Sequence, residues 1–254
     1  MKRSVLNSFV YDRLKSINQN LSDYAKDKNP KCLHKLRVDI KKIKAIGAFV
    51  DKVDKAKFNS AKLNQLFKDA GKIREVQINM NLVCNFSIPP KRLIHQLKKK
   101  ENLLIRDFMK KISSYNESIV TFGEGIYFPH KTVNKKEVVK FFKRMVKKAN
   151  SLSESEDRED MHSYRMKIKK IMYIYNLLPA KYKKYIVINK SKIDKLQHKI
   201  GEWHDVYTAL NFTYSENIPK TSIKSILILK DKEQKLYDNL FIGLAKLKLK
   251  LEKN

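Results

Sequence analysis

Cysteine is scarce: Cys32 and Cys84 are the only two in 254 residues, far too few for a disulfide framework. Both are expected to be reduced and buried, consistent with a cytosolic protein. Six glycines and six prolines leave little material for repeated tight turns, and most of them fall between long apolar-periodic segments. Long apolar runs are missing, so no segment reaches the length of a bilayer span. Asp12 and Arg13 interrupt the N-terminal region before a signal-peptide core can develop. Metal ligands are thin as well. Cys32 and His34 have no second pair at ligand spacing, so no metal and no other cofactor is expected. Acidic residues are the last shortage: 26 Asp and Glu stand against 56 Lys and Arg, a formal charge of +30. Self-repulsion of that size opposes compaction, and a polyanionic partner is expected. DNA, RNA, an anionic membrane surface and a phosphate polymer all carry the required charge.

Against this background one stretch stands out, His34-x-x-Arg37-x-x-x-Lys41-Lys42-Ile43-Lys44. Much of it recurs 128 positions later as His162-x-x-Arg165-x-x-x-Lys169-Lys170-Ile171-Met172. At about 100° per residue, His34, Arg37, Lys41 and Lys44 fall within roughly 80° of arc on one helix. Leu36, Ile40, Ile43, Gly47 and Val50 form a separate apolar arc. The second copy repeats both, with His162, Arg165 and Lys169 on one side and Tyr164, Ile168, Ile171, Tyr175 and Leu178 on the other. Packing requires the apolar stripe. It does not require a histidine and cations aligned beside it, and the recurrence favours a paired anion-binding surface. Lys42 and Lys170 lie to one side of the stripes and would have to reach in.

The apolar period predicts helices over about Ser4 to Lys26, then from an Asn29-Pro30 start to about Asp51. Further helices are expected over about Ala56 to Cys84 and Pro90 to Ser114. Leu63, Leu66, Phe67, Ala70, Ile73 and Val83 are the expected inner positions of the third. From Tyr115 the period fades, and Gly123, Gly125 and Pro129 mark a connector. Ser153-x-x-Glu156 reads as a capping box before the second motif helix, followed by acids that suit a helix N-terminus. Acids turned towards His162 would weaken an anion site. Tyr182 to Asn189 is kept as loop or helix, a helix starts near Ser191, and the last runs from about Thr221 to Glu252. The organisation expected is one all-α domain, with a first four-helix half over 1–116, a connector over 117–130 and a second four-helix half over 131–254.

A further repeat joins the halves. Leu63-x-x-Leu66-x-x-x-x-Gly71-x-x-Arg74-Glu75-Val76 aligns with Ile193-x-x-Leu196-x-x-x-x-Gly201-x-x-His204-Asp205-Val206, at an offset of 130. A mid-helix glycine costs about 1 kcal/mol relative to alanine, so two at equivalent places point to close helix contact with the motif helices. Arg74 and His204 would then extend the cationic surface, each oriented by a neighbouring carboxylate.

Both motif pairs, in this order and spacing, resemble the CHAD family, the conserved-histidine α-helical domain, over nearly the whole chain. The resemblance implies two pseudo-symmetric four-helix bundles of long antiparallel helices, with basic surfaces meeting in a groove or pore. It also implies binding of inorganic polyphosphate without catalysis, in proteins often associated with polyphosphate granules. Three residues depart from the pattern: Met172 where the first copy has Lys44, and Glu75 and His204 in place of the acid and base of the family's Arg-Asp pair. The expected polyphosphate-binding residues are His34, Arg37, Lys41, Lys42, Lys44, Arg74, His162, Arg165, Lys169, Lys170 and His204. Binding should strengthen below about pH 6.5, the ordinary midpoint of histidine. The competing class is a nucleic-acid binder acting through phosphates alone, since the stripes do not interleave aromatics as a single-strand platform would. A metal-dependent phosphohydrolase is disfavoured by the Arg and Lys around each histidine, which repel a divalent cation.

Overall fold

Asn29 sets the first turn of the chain. Its Oδ1 accepts the Lys31 N–H at 3.0 Å, so α1 (Arg3–Asp27) gives way to α2 (Pro30–Asp54) within two residues. Lys28 closes α1 in the left-handed region at φ 53°, its N–H bonding the Tyr24 carbonyl at 3.0 Å. The structure is a computed structural model describing residues 3–54, 58–126, 134–186, 188–215 and 223–245. The fold is all-α: among the described residues there are ten α-helices, one 3-10 turn and no strand. They group into two compact units. One comprises 1–84 with 91–134, the other 85–90 with 135–254.

In the first unit α2 packs between α1 and α3 (Asn64–Cys84), with a 3-10 turn, Ala61–Leu63, leading into α3. α4 (Lys91–Lys110) packs on α3, and α5 (Ile112–Glu124) packs on α1 and the turn. The apolar arc of α2 is the core: Leu36, Ile40, Ile43 and Val50 are fully buried. Tyr24, Phe108 and Tyr115 pin α1, α4 and α5 together through ring contacts of 5.6 and 4.9 Å. α5 corrects the expectation of a connector from Tyr115, because the helix runs through Gly123 to Glu124. Tyr115, Ile119 and Phe122, spaced by four and three, bury one face of it. Tyr115 is further fixed by its hydroxyl, which donates to Asp69 at 2.7 Å. The third helix also starts later than expected, at Asn64. Ala56, Pro129 and the far end of the last helix lie outside the described residues.

In the second unit α6 (Lys135–Ser153) packs on α7 (Arg158–Leu177), α7 on α9 (Lys190–Ser215) and α9 on α10 (Ile223–Ala245). The short α8 (Ala180–Lys183) follows the turn at Pro179, where Leu178 is already extended as a residue before proline must be. The capping box is not formed. Ser153 belongs to the end of α6, and Asp157 caps α7 by accepting the Glu159 N–H at 2.9 Å. Arg158, next in sequence, forks onto buried Glu233 of α10 at 2.9 and 3.2 Å, and Trp203 Nε1 donates to the same carboxylate at 2.7 Å. Cys84 is exposed and Cys32 half-buried, contrary to the expectation that both are buried; neither forms a disulfide. No helix among the described residues is long and apolar enough to cross a membrane.

Candidate anion-binding site

On α2 the arginine of the motif leans across α3. Arg37 Nη1 donates to the Phe67 carbonyl, and its guanidinium lies 4.2 Å from the centroid of the Phe67 ring. The approach depends on Gly71, one turn beyond Phe67. A Cβ at that position would stand 2.1 Å from Arg37 Nη1, so only the bare backbone leaves the carbonyl open. Lys44 and Lys41 come to the same ring, with Nζ atoms 4.6 and 5.9 Å from its centroid, and Lys44 also donates to Asn64 Oδ1 at 2.7 Å. Burial pushes the Arg37 guanidinium down from its ordinary range, reinforced by the charge of Arg74 and opposed by Glu75. Lys44 is lowered in the same way, by burial and then by Arg37 and Lys68. Among the described residues neither Arg37 nor Lys44 has a carboxylate within ion-pair distance.

α7 and α9 reproduce the arginine over a glycine. Arg165 is half-buried, with Nη2 3.3 Å from where a Cβ on Gly201 would lie, and its buried Nε has no hydrogen-bond partner among the described residues. Burial lowers it too, while Asp205 opposes the shift. Beside it the His162 and His204 rings stack at 4.4 Å and 25°. The glycine-bearing helices therefore do meet the motif helices, and they bring Arg74 next to Arg37 and His204 next to His162.

Other expected residues fare differently. Lys42 is drawn aside to buried Asp39 at 3.0 Å, a carboxylate that also takes Arg13 at 3.2 Å and Ser16 at 2.7 Å from α1. Lys42 thus shares with Arg13 a carboxylate to one side of the stripe. Arg74 is oriented by Gln77 at 3.1 Å rather than by Glu75, and Gln77 in turn donates to Glu101 of α4 at 2.9 Å. His204 Nδ1 lies 3.9 Å from Asp205. His34 is exposed, and Lys41, Lys169 and Lys170 are half-buried. Met172, at the position of Lys44, is buried in the core. Of the acids around the start of α7, Glu159 in its first turn points towards α9, accepting the Tyr207 hydroxyl at 3.2 Å. It lies one turn before His162 in the helix, and its carboxylate is taken by Tyr207. Among the described residues no group of three or more His, Cys, Asp or Glu side chains is arranged to hold a metal ion.

Phe67 was not legible as a site residue. Read as a core position, it is instead half-buried beneath cations. The signal lay in the repeat: the aligned residue of the second copy is Gln197, and a position that is apolar in one copy and polar in the other is a poor core position.

Comparison with known proteins finds the same all-α fold. The chain resembles the crystal structure of the CHAD domain from the plant Ricinus communis, with a TM-score of 0.70 and 13% identity, over 99% of this chain and 94% of that one. The CHAD domain family model matches residues 9–213, and the chain belongs to the CHAD domain family. No curated protein matches it.

Proposed function

We propose that this protein binds inorganic polyphosphate, and that it does so without catalysis. One observation carries the reading. In each unit an arginine at the same motif position is half-buried over a helix glycine, with no ion-paired carboxylate among the described residues. A desolvated, unpaired cation is costly, and an anionic ligand would offset that cost. Arginine can hold two phosphate oxygens at once, while Lys41, Lys44 and Lys169 act as point charges. Each charge-assisted hydrogen bond contributes about 1.5–3 kcal/mol. A polyphosphate chain has closely spaced charges and no bases, so cations alone suffice to hold it. His162 and His204 add ring N–H donors that strengthen on protonation.

The test is the double substitution Arg37→Glu with Arg165→Glu. Polyphosphate affinity is expected to fall below detection while the circular-dichroism helicity stays at the wild-type value. Undiminished affinity would place the ligand elsewhere. Duplex DNA of matched charge, used as competitor, separates this reading from binding to any phosphate backbone: polyphosphate is expected to displace the DNA, and the reverse result favours a nucleic-acid binder.

A further inference from the structure

We propose that Phe67 is a positioning residue that assembles the anion site of the first unit, and that this unit supplies most of the affinity. The inference rests on the polyphosphate reading above and says which part of the chain does the binding. Arg37, Lys41 and Lys44 project from successive turns of α2, where their like charges repel. All three lie within 6 Å of the Phe67 ring centroid, at 4.2, 5.9 and 4.6 Å. An aromatic face is the negative end of a quadrupole, so it attracts each cation and offsets their mutual repulsion. Unlike a carboxylate, the ring does so without neutralising them, which leaves the charge of Arg37 and Lys44 to a phosphate oxygen. α3 then fixes two of the three separately, through the Phe67 carbonyl to Arg37 and Asn64 Oδ1 to Lys44. Preassembly of this kind lowers the ordering cost of binding.

The second unit has different side chains at these positions. Position 197 is glutamine where the first unit has Phe67, and position 194 is aspartate where it has Asn64. Met172 replaces Lys44 and is 3% exposed, so it offers nothing to a ligand. Glu159 stands where the first copy has Lys31, and its carboxylate accepts the Tyr207 hydroxyl. The second unit therefore has no ring at the position of Phe67, and Arg165 feels Asp205 and Tyr173 instead.

The experiment titrates wild-type, Phe67→Leu and Phe67→Tyr proteins with polyphosphate at two salt concentrations, alongside their thermal unfolding. Leucine keeps apolar bulk but has no quadrupole, whereas tyrosine keeps the ring. The expected result is a Kd raised about 5- to 30-fold in Phe67→Leu. Its salt dependence should be shallower, its melting temperature close to that of the wild type, and binding by Phe67→Tyr near normal. Single charge reversals order the two units: Arg37→Glu is expected to weaken binding more than Arg165→Glu. Unchanged affinity in Phe67→Leu, or equal losses in both Phe67 variants with lowered melting temperatures, overturns the positioning role. The reverse order of the two arginine variants overturns the primacy of the first unit. A wild type that fails to bind polyphosphate at all sinks the functional reading instead, and the ligand role of Phe67 with it. Ring-current shifts on the Arg37 and Lys44 side-chain resonances, lost in Phe67→Leu, report the contact without any ligand.

Discussion

At the scale of single residues, Gly71 and Gly201 separate function from stability. A methyl group at Gly71 would collide with Arg37 Nη1 at 2.1 Å, and the end of a flexible side chain yields before a helix does. Gly71→Ala should therefore raise helix stability by up to about 1 kcal/mol and expel the guanidinium from the Phe67 carbonyl. Weaker polyphosphate binding with an unchanged or higher melting temperature is the expected pair of readings. At Gly201 the nearest atom, Arg165 Nη2, is 3.3 Å away, so Gly201→Ala should cost far less affinity. Lys44 carries a prediction in pH. Burial, then Arg37 and Lys68, hold its ammonium below the ordinary lysine range, so it loses its proton before other lysines as pH rises. Only the charged form binds phosphate. Affinity should thus begin to fall on the alkaline side short of about pH 10.4, the ordinary lysine value, and Lys44→Arg should move that fall to higher pH. Identical alkaline limbs in titrations of the two proteins would remove Lys44 from the site.

At the scale of elements, the faces of α2 and α7 were legible because burial follows the helical period, and their pairing with α3 and α9 was legible from two glycines at matching offsets. α5 escaped because Gly123 and Gly125 read as a turn, whereas its stability comes from contacts distant in sequence: Tyr115 to Asp69, and Phe122 to Phe58 at 6.0 Å. The start of α7 escaped for a related reason. Several acids and serines competed for the cap, and the choice of Asp157 follows from Arg158 being pulled onto Glu233 of α10. That carboxylate ties three helices, α7, α9 and α10, through Arg158 and Trp203. Glu233→Ala would strand the indole N–H and leave Arg158 without its fork. Arg158 keeps 34% of its side-chain exposure, which places the cost near the low end for a buried pair, about 3 kcal/mol. Urea unfolding would measure it, and Glu233→Gln should lose less because Trp203 Nε1 keeps an acceptor. A loss no larger than that of a surface substitution would show that the helices do not depend on this junction.

At the scale of the whole molecule, the +30 charge and the built site predict different salt dependences. The charge alone attracts any polyanion diffusely, and counterion release would then involve many lysines at once. The proposed binding instead uses a defined set of cations, Arg37, Lys41 and Lys44 in the first unit and Arg165 and Lys169 in the second, each unit taken by itself. Five neutralised phosphates on a flexible single chain give a slope of log K against log salt of about −3.5, or roughly a 100-fold loss between 50 and 200 mM salt. Diffuse binding by the lysine-rich surface would be steeper and would survive charge reversal at positions 37 and 165. The decisive comparison is therefore the slope of the wild type against that of the Arg37→Glu, Arg165→Glu protein. A slope near −3.5 in the first, with binding lost in the second, is expected. Equal steep slopes in both proteins would mean that net charge, and not the arginines held over Gly71 and Gly201, attracts the polymer.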